Sequence, residues 1–181
     1  MKRSAAIALA LLVAACAGEG GPVIPAIEPG VVAEEGALQD AADIGRVLDA
    51  LHLAASRADG PAYFNLYTPD AVFIGTDAGE RWTLPEFRAY AEPVFSQGKG
   101  WTYRPRTRSV VLGPGGRTAW FDELLDSESY GTSRGTGVLL RTPQGWRVAQ
   151  YALTFPIPND IAKDLTARIR AHEAGAAPAP R

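Results

Sequence analysis

The second half of the chain constrains the fold most, because four strand candidates follow one another with only short turns between them. Residues 101–112, 117–127, 132–142 and 145–156 are rich in β-branched and aromatic side chains, and "GPGG", "SESYG" and "PQG" separate them. Loops this short cannot carry a crossover, so neighbouring strands must run antiparallel. The first half has a helical period instead. Ile44, Val47, Leu48, Leu51, Ala55 and Ala58 recur at three- and four-residue spacing, which predicts a long helix over about 38–58. "GPAYFNLYTPD" reads as a short second helix, with Pro61 in its first turn and Pro69 beyond its end, and Ala71–Ile74 as a brief strand. Thr83 and Glu86 form a capping box for a third helix with Leu84, Phe87, Ala91, Val94 and Phe95 on one face, kinked or ended near Pro93. After "FPIP", Asn159 can cap a last helix that carries Ile161, Leu165 and Ile169 along one side. The expected class is α+β: a curved antiparallel sheet wrapped around three N-terminal helices, with an additional C-terminal helix and no internal repeat.

The ends read differently. Lys2 and Arg3 precede an apolar stretch, Ala5–Ala15, too short to span a bilayer, so residues 1–15 read as a cleaved secretory signal. Val13-Ala14-Ala15-Cys16 resembles the bacterial lipobox, in which the cysteine becomes the lipidated mature N-terminus; the alternative is an ordinary signal with an incidental cysteine. Cys16 is the only cysteine of the chain and can form no internal disulfide. The lipobox resemblance implies a membrane partner reached through the lipid on Cys16, and Ala17 in place of Asp resembles the sorting signal for the periplasmic face of the outer membrane. Residues 16–36, rich in Gly, Pro, Ala and Glu, read as a flexible tether. Residues 37–172 are then the domain and 173–181 a disordered tail.

Composition removes several functions. Of 18 basic residues the signal takes two, leaving 16 against 20 acidic ones and a formal charge of 16 − 20 = −4, which suggests no nucleic-acid partner. Two histidines and one cysteine cannot build a standard zinc site, Asp122, Glu123 and Asp126 lack calcium-loop spacing, and no metal is expected. GxSxG, the Walker loop and the dinucleotide fingerprint are absent, and no cofactor is expected.

"YFNLYTPDAVFIGTDAGERWT", "GKGWTYRPRTR", "AWFDELLD" and "RGTGVLLRTPQGWRVAQYALTFPIPND" are similar to the SnoaL-like branch of the nuclear transport factor 2 (NTF2-like) superfamily, over about Leu38–Ile169. That resemblance implies a cystatin-like cone whose sheet encloses a hollow, as in ketosteroid isomerase and polyketide cyclases, and a homodimer through the outer sheet face. It also places the stretch after the first strand, with Asp77, Glu80 and Trp82, at the mouth of the hollow.

Candidate site residues follow from strand pairing. If "GPGG" closes a hairpin with Leu112 opposite Arg117, Arg106 lies across from Glu123 and Arg108 across from Phe121. Arg104, Arg106, Arg108, Phe121 and Glu123 then share one face, a register one slip would change. The three arginines are either a solvated stripe or the polar lining of the hollow, and Pro105 suggests an edge or a bulge. Asp77 and Glu80 either face a ligand or hold the loop, Asp77 through its amides and Glu80 or Arg81 through Arg108 or Arg134. His52 sits roughly eighty degrees from the centre of the first helix's stripe, a boundary position from which Glu123 or Asp77 is a partner across the hollow. In "RGTGV" the glycines after Arg134 need close cover, for which Trp101, Trp120, Trp146 and Tyr151 are available; Gln150 completes the candidate lining.

Three functions remain open. The leading one is binding of a small, partly apolar molecule of unknown identity in the cone. The second is an enzyme of isomerase, cyclase or dehydratase type, with Asp77, Glu123 or His52 as base and Tyr63, Tyr103 or Tyr151 supporting an oxyanion. The third is an interaction module of the cell envelope with a filled cone. An open cavity with a poised acid or base favours the second, an open cavity without one the first, and a plugged cone the third.

Overall fold

The computed structural model describes residues 29–176. Cys16, the signal and most of the tether lie outside the described residues, as do residues 177–181. Helix α1 (Pro29–Ser56) is followed by the short α2 (Gly60–Phe64), strand β1 (Tyr67–Ile74) and strand β2 (Arg81–Thr83). Then come α3 (Leu84–Phe95), strands β3 (Arg104–Leu112), β4 (Thr118–Ser127), β5 (Gly131–Thr142) and β6 (Gly145–Thr154), and α4 (Asn159–Ala176). Helix α1 starts earlier than its apolar stripe, so residues 29–36 of the expected tether are helical. Helix α3 opens on the expected capping box, with Glu86 Oε2 accepting from the Thr83 backbone N–H at 2.8 Å, and runs through Pro93 to Phe95.

The six strands form one sheet in the order β2-β1-β6-β5-β4-β3. The four long strands are antiparallel neighbours as the short turns require, and β1 adds beside β6 in parallel. Alternation along β4 sends Ala119, Phe121, Glu123 and Leu125 inward and leaves Trp120, Asp122 and Asp126 outside. The inner face meets Ile44, Leu48, Leu51 and Ala55 of α1 and Phe87, Ala91 and Phe95 of α3, all buried. The stripes of α1 and α3 are thus core faces, apart from the exposed Val94, whereas Ile161 and Ile169 of α4 are exposed and its expected stripe does not enter the core.

The β3–β4 register differs from the expected one. Leu112 faces Ala119 and Arg108 faces Glu123, two residues further along than a "GPGG" hairpin gives. The turn is longer because Gly115 (φ 76) and Gly116 (φ 62) both take left-handed backbone, open to glycine at no steric cost, and Gly113 N–H donates to Thr118 O at 2.7 Å. A slip of two keeps parity, so Arg108, Phe121 and Glu123 still share the inner face. A bulge between Pro105 and Thr107 then divides the arginine stripe. Arg104 pairs with Glu128 and Arg106 with Asp126 on the surface, where such pairs contribute little, and only Arg108 goes inward.

Candidate functional site

Among the described residues one charged side chain is fully buried, in the middle of the inner face, and the site is built around it. Glu123 is 0% exposed. Its Oε2 accepts from Arg108 Nε at 2.8 Å, and its Oε1 accepts from Tyr151 OH at 2.9 Å and lies 2.8 Å from His52 Nε2. Arg108 also donates through Nη1 to Asp49 Oδ1 at 2.9 Å and to Gly45 O at 3.1 Å. Gly45, Asp49 and His52 stand at i, i+4 and i+7 on α1, a polar strip beside the apolar one, so a single helix supplies three of the partners. Glycine at 135 is required here: a Cβ would collide with the Tyr151 hydroxyl and stand 3.0 Å from Glu123 Oε1. That is the close cover expected of the "RGTGV" glycines, and at Gly137 the covering groups are the Phe121 ring and the Gln150 carbonyl.

Burial pushes the Glu123 carboxyl up, but the hydrogen bond and charge of His52 together with those of Arg108 outweigh it and hold the group below its ordinary value. Glu123 is therefore ionised and accepts every bond it makes, so His52 Nε2 carries the proton between them. Desolvation, reinforced by the Glu123 charge, drives the Tyr151 hydroxyl well above the usual tyrosine range. It stays protonated and donates.

Next to this network the cone is hollow in two parts. An inner chamber of about 20 Å³, room for one water, is walled by Leu51, His52, Tyr63, Trp101 and Tyr151 among others. An outer cavity of about 220 Å³ opens at the mouth, and Phe73, Trp101, Tyr103 and Leu153 line both. Eight of the twelve residues around the outer cavity are aromatic, so its walls are ring surfaces rather than flexible aliphatic chains. Many are locked in a column: Tyr90 stacks on Trp82 (4.8 Å, 21°), Trp82 on Phe87 (5.8 Å, 11°), Phe87 on Phe73 (3.9 Å, 13°) and Phe73 on Tyr151 (5.8 Å, 4°). The column runs from the surface to the hydroxyl that holds Glu123.

The dense stretch "VFIGTDAGERWT" is the β1–β2 hairpin at the cavity mouth. Gly75 N–H donates to Glu80 O at 2.8 Å and Glu80 N–H to Asp77 O at 3.0 Å, while the Asp77 carboxylate accepts from Gly79 N–H at 2.8 Å. Glu80 accepts from Asp77 N–H at 3.2 Å and folds over Gly75, where a Cβ would overlap its carboxylate. Glu80 and Trp82 line the outer cavity, and Asp77 is exposed in the turn.

The sequence candidates thus separate into three groups. His52, Arg108 and Glu123 come together in the network, and Glu80, Trp82 and Trp101 line the outer cavity. Asp77, Arg134 and Gln150 are exposed and line neither cavity, the last two because they stand on the outer side of their strands. Sequence reasoning missed Asp49, which as a single acid on a helix looks solvated. It also missed Tyr130 and Phe155, which lie in a turn and just past a strand and stack on each other at the mouth (4.9 Å, 26°).

A curved sheet closed over three helices, with a hollow between, is the cone of the NTF2-like, cystatin-like class. A structure from Novosphingobium aromaticivorans, described as an NTF2-like protein with a cystatin-like fold, is 16% identical and superposes with a TM-score of 0.58 over 78% of this chain and 97% of its own. A candidate aromatic ring hydroxylase from the same organism is 21% identical, TM-score 0.56, over 67% and 92%. A candidate dehydratase of the NTF2-like family from Streptomyces avermitilis is 16% identical, TM-score 0.57, over 66% and 98%. At these identities the likeness is one of fold. The sequence model of the SnoaL-like domain matches residues 44–158, and the chain belongs to the SnoaL-like family. No curated protein matches the chain.

Proposed function

We propose that the protein binds a small, partly apolar molecule in its cone, and that it does so anchored to a bacterial envelope membrane through Cys16. The observation that carries the binding reading is the outer cavity of about 220 Å³, open at the mouth and walled by stacked aromatic rings. A cone meant only to support an outer surface would be filled. Ordered rings also lose little freedom on binding, which favours a ligand of matching flat shape. The test is a thermal-shift panel on the full chain with steroids, aromatic polyketide-like compounds, hydrophobic carbonyl compounds and small carboxylates. A ligand at a hundred times its Kd stabilises a one-site binder by about 2.7 kcal/mol, a rise in Tm of about 5–10 °C. Trp101→Leu is expected to reduce that rise, since Trp101 borders both cavities. A hit unaffected by Trp101→Leu and Trp82→Leu alike would put the ligand elsewhere and overturn the reading.

A second reading, general acid–base catalysis, is favoured by one specific arrangement. His52 borders the inner chamber while Glu123 fixes its Nε2–H, which leaves Nδ1 as the ring nitrogen available for proton transfer. Glu123 itself is tied by three donors and held ionised with a depressed proton affinity, which suits an orienting role and not that of the base. On this reading His52→Gln lowers turnover of any substrate found in the panel by about a hundredfold or more while its affinity changes little. Loss of affinity and turnover in step would mean that His52 only packs the chamber.

The anchor is tested separately by Cys16→Ser. The variant is expected in the soluble fraction with altered electrophoretic mobility; one that stays with the membrane at unchanged mobility overturns the lipid anchor.

A further inference from the structure

Resting on the binding reading above, we infer that the outer cavity selects an organic cation, an amine or quaternary ammonium group carried on a small apolar body. Among the described residues that line this cavity, Glu80 alone carries a formal charge, and no Lys, Arg or His is among them. The rest of the wall is aromatic. A ring presents the negative side of its quadrupole through its face; Trp82, Phe87 and Phe73 each stack on at least two rings, so the faces left for a cation are those of Tyr90, Tyr130 and Phe155, each stacked on one ring, and of Tyr103, stacked on none, where an anion is repelled. An anionic ligand would meet the Glu80 charge and π-electron density together, with no donor side chain stronger than a hydroxyl or an indole N–H to offset them. A neutral apolar ligand would fit the rings but would have to desolvate Glu80 without compensating it.

The hairpin holds that carboxylate at the wall instead of letting it turn into solvent. Glu80 is half-buried, and its side chain fills the space a Cβ on Gly75 would need. Only one of its oxygens is engaged, Oε2, by a single long bond from Asp77 N–H at 3.2 Å. Among the described residues Oε1 has no hydrogen-bond partner and Glu80 no salt bridge, although Arg81 is its neighbour in sequence. Trp82, two residues on and in the short β2 strand, lines the same cavity and joins the aromatic wall. Gly75, Glu80 and Trp82 therefore make one device: a glycine that admits the carboxylate, the carboxylate, and the ring beside it.

The decisive experiment compares two ligands of one shape on the full chain. These are 3-hydroxyphenyltrimethylammonium and its neutral carbon isostere 3-tert-butylphenol, titrated by calorimetry against the wild type and Glu80→Gln. Glutamine keeps an acceptor for Asp77 N–H and removes the charge. The inference expects the cation to bind at least about tenfold more tightly than the isostere. It expects Glu80→Gln to cost the cation about tenfold and to leave the isostere within about twofold. Raising the ionic strength from about 0.05 M to about 0.5 M should weaken the cation alone in the wild type, a readout that stands even if the variant folds poorly. Equal affinity of the two ligands, or an isostere that binds better, overturns the cation inference and leaves the binding reading intact. Neither ligand binding below about 1 mM also overturns the cation inference, while the thermal-shift panel with Trp101→Leu and Trp82→Leu decides the binding reading separately.

Discussion

Replacing Glu123 by alanine is expected to destabilise the protein by about 3–5 kcal/mol, because it strands a half-buried cation, a half-buried ring N–H and a buried hydroxyl at once. Among the described residues Arg108 would keep only the exposed Asp49 and a backbone carbonyl, with Nη2 already lacking a hydrogen-bond partner there. The Tyr151 hydroxyl and His52 Nε2–H would lose the acceptor they share. A domain of this size is stable by roughly 5–15 kcal/mol in all, so the loss corresponds to a fall in Tm of about 10–15 °C. Urea unfolding of the two proteins at neutral pH measures it. A loss below about 1 kcal/mol would show that water reaches the network and that Glu123 is not a structural ion. The double variant Arg108→Met with Glu123→Leu should be less destabilised than the two single changes add up to, since it removes the pair rather than one partner.

The same network sets an acid limit. Glu123 binds its proton less readily in the folded chain than in the unfolded one, where the ordinary value is 4.5. Its contribution is therefore complete above about pH 4.5 and is lost as the pH falls through the lower folded value. The difference in stability between wild type and Glu123→Gln should accordingly shrink as the pH is lowered below that point. A difference that grew toward low pH would mean that the folded carboxyl takes up its proton more readily than the unfolded one, the burial effect having won over His52 and Arg108.

The elements of the fold are legible because each rests on a local rule. Ile44, Leu48, Leu51 and Ala55 are spaced for a helix face whatever the rest of the chain does, and "PQG" permits only a tight hairpin. Register is less local. Whether "GPGG" or a longer loop closes β3 on β4 depends on two glycines both taking positive φ, which no neighbouring residue dictates, and the answer decides whether Arg106 or Arg108 meets Glu123. The parallel pairing of β1 with β6 is invisible for a related reason, as it joins residues some eighty positions apart that share no motif. The site mixes both kinds. His52 is marked by its place at the edge of a stripe and Glu123 by alternation, so each is readable alone, but their 2.8 Å contact exists only because α1 packs over the inner face of the sheet, against β3 and β6. Asp49 has no such mark: its value comes entirely from the inward turn of Arg108.

Phe87→Ala is expected to cost a similar amount, about 3–5 kcal/mol, for a different reason. Phe87 is 1% exposed and stands where two aromatic systems meet: it stacks on Phe73 and Trp82 and packs edge-on against Tyr63 and Phe64. Removing the ring leaves a hole with apolar walls, and the neighbours cannot close it cheaply, since Phe73 is itself stacked on Tyr151 and Trp82 on Tyr90. Such a hole stays dry and can take a small arene. Saturating benzene should therefore return part of the lost stability to Phe87→Ala in urea unfolding and give the wild type much less, in proportion to ln(1 + [L]/Kd). Failure of benzene to distinguish the two would mean that the walls collapse, and with them the view that the column is rigid. A wall that holds its shape without one of its rings can present a preformed surface to a ligand at the mouth; one that collapses must be ordered by the ligand, at the expense of affinity.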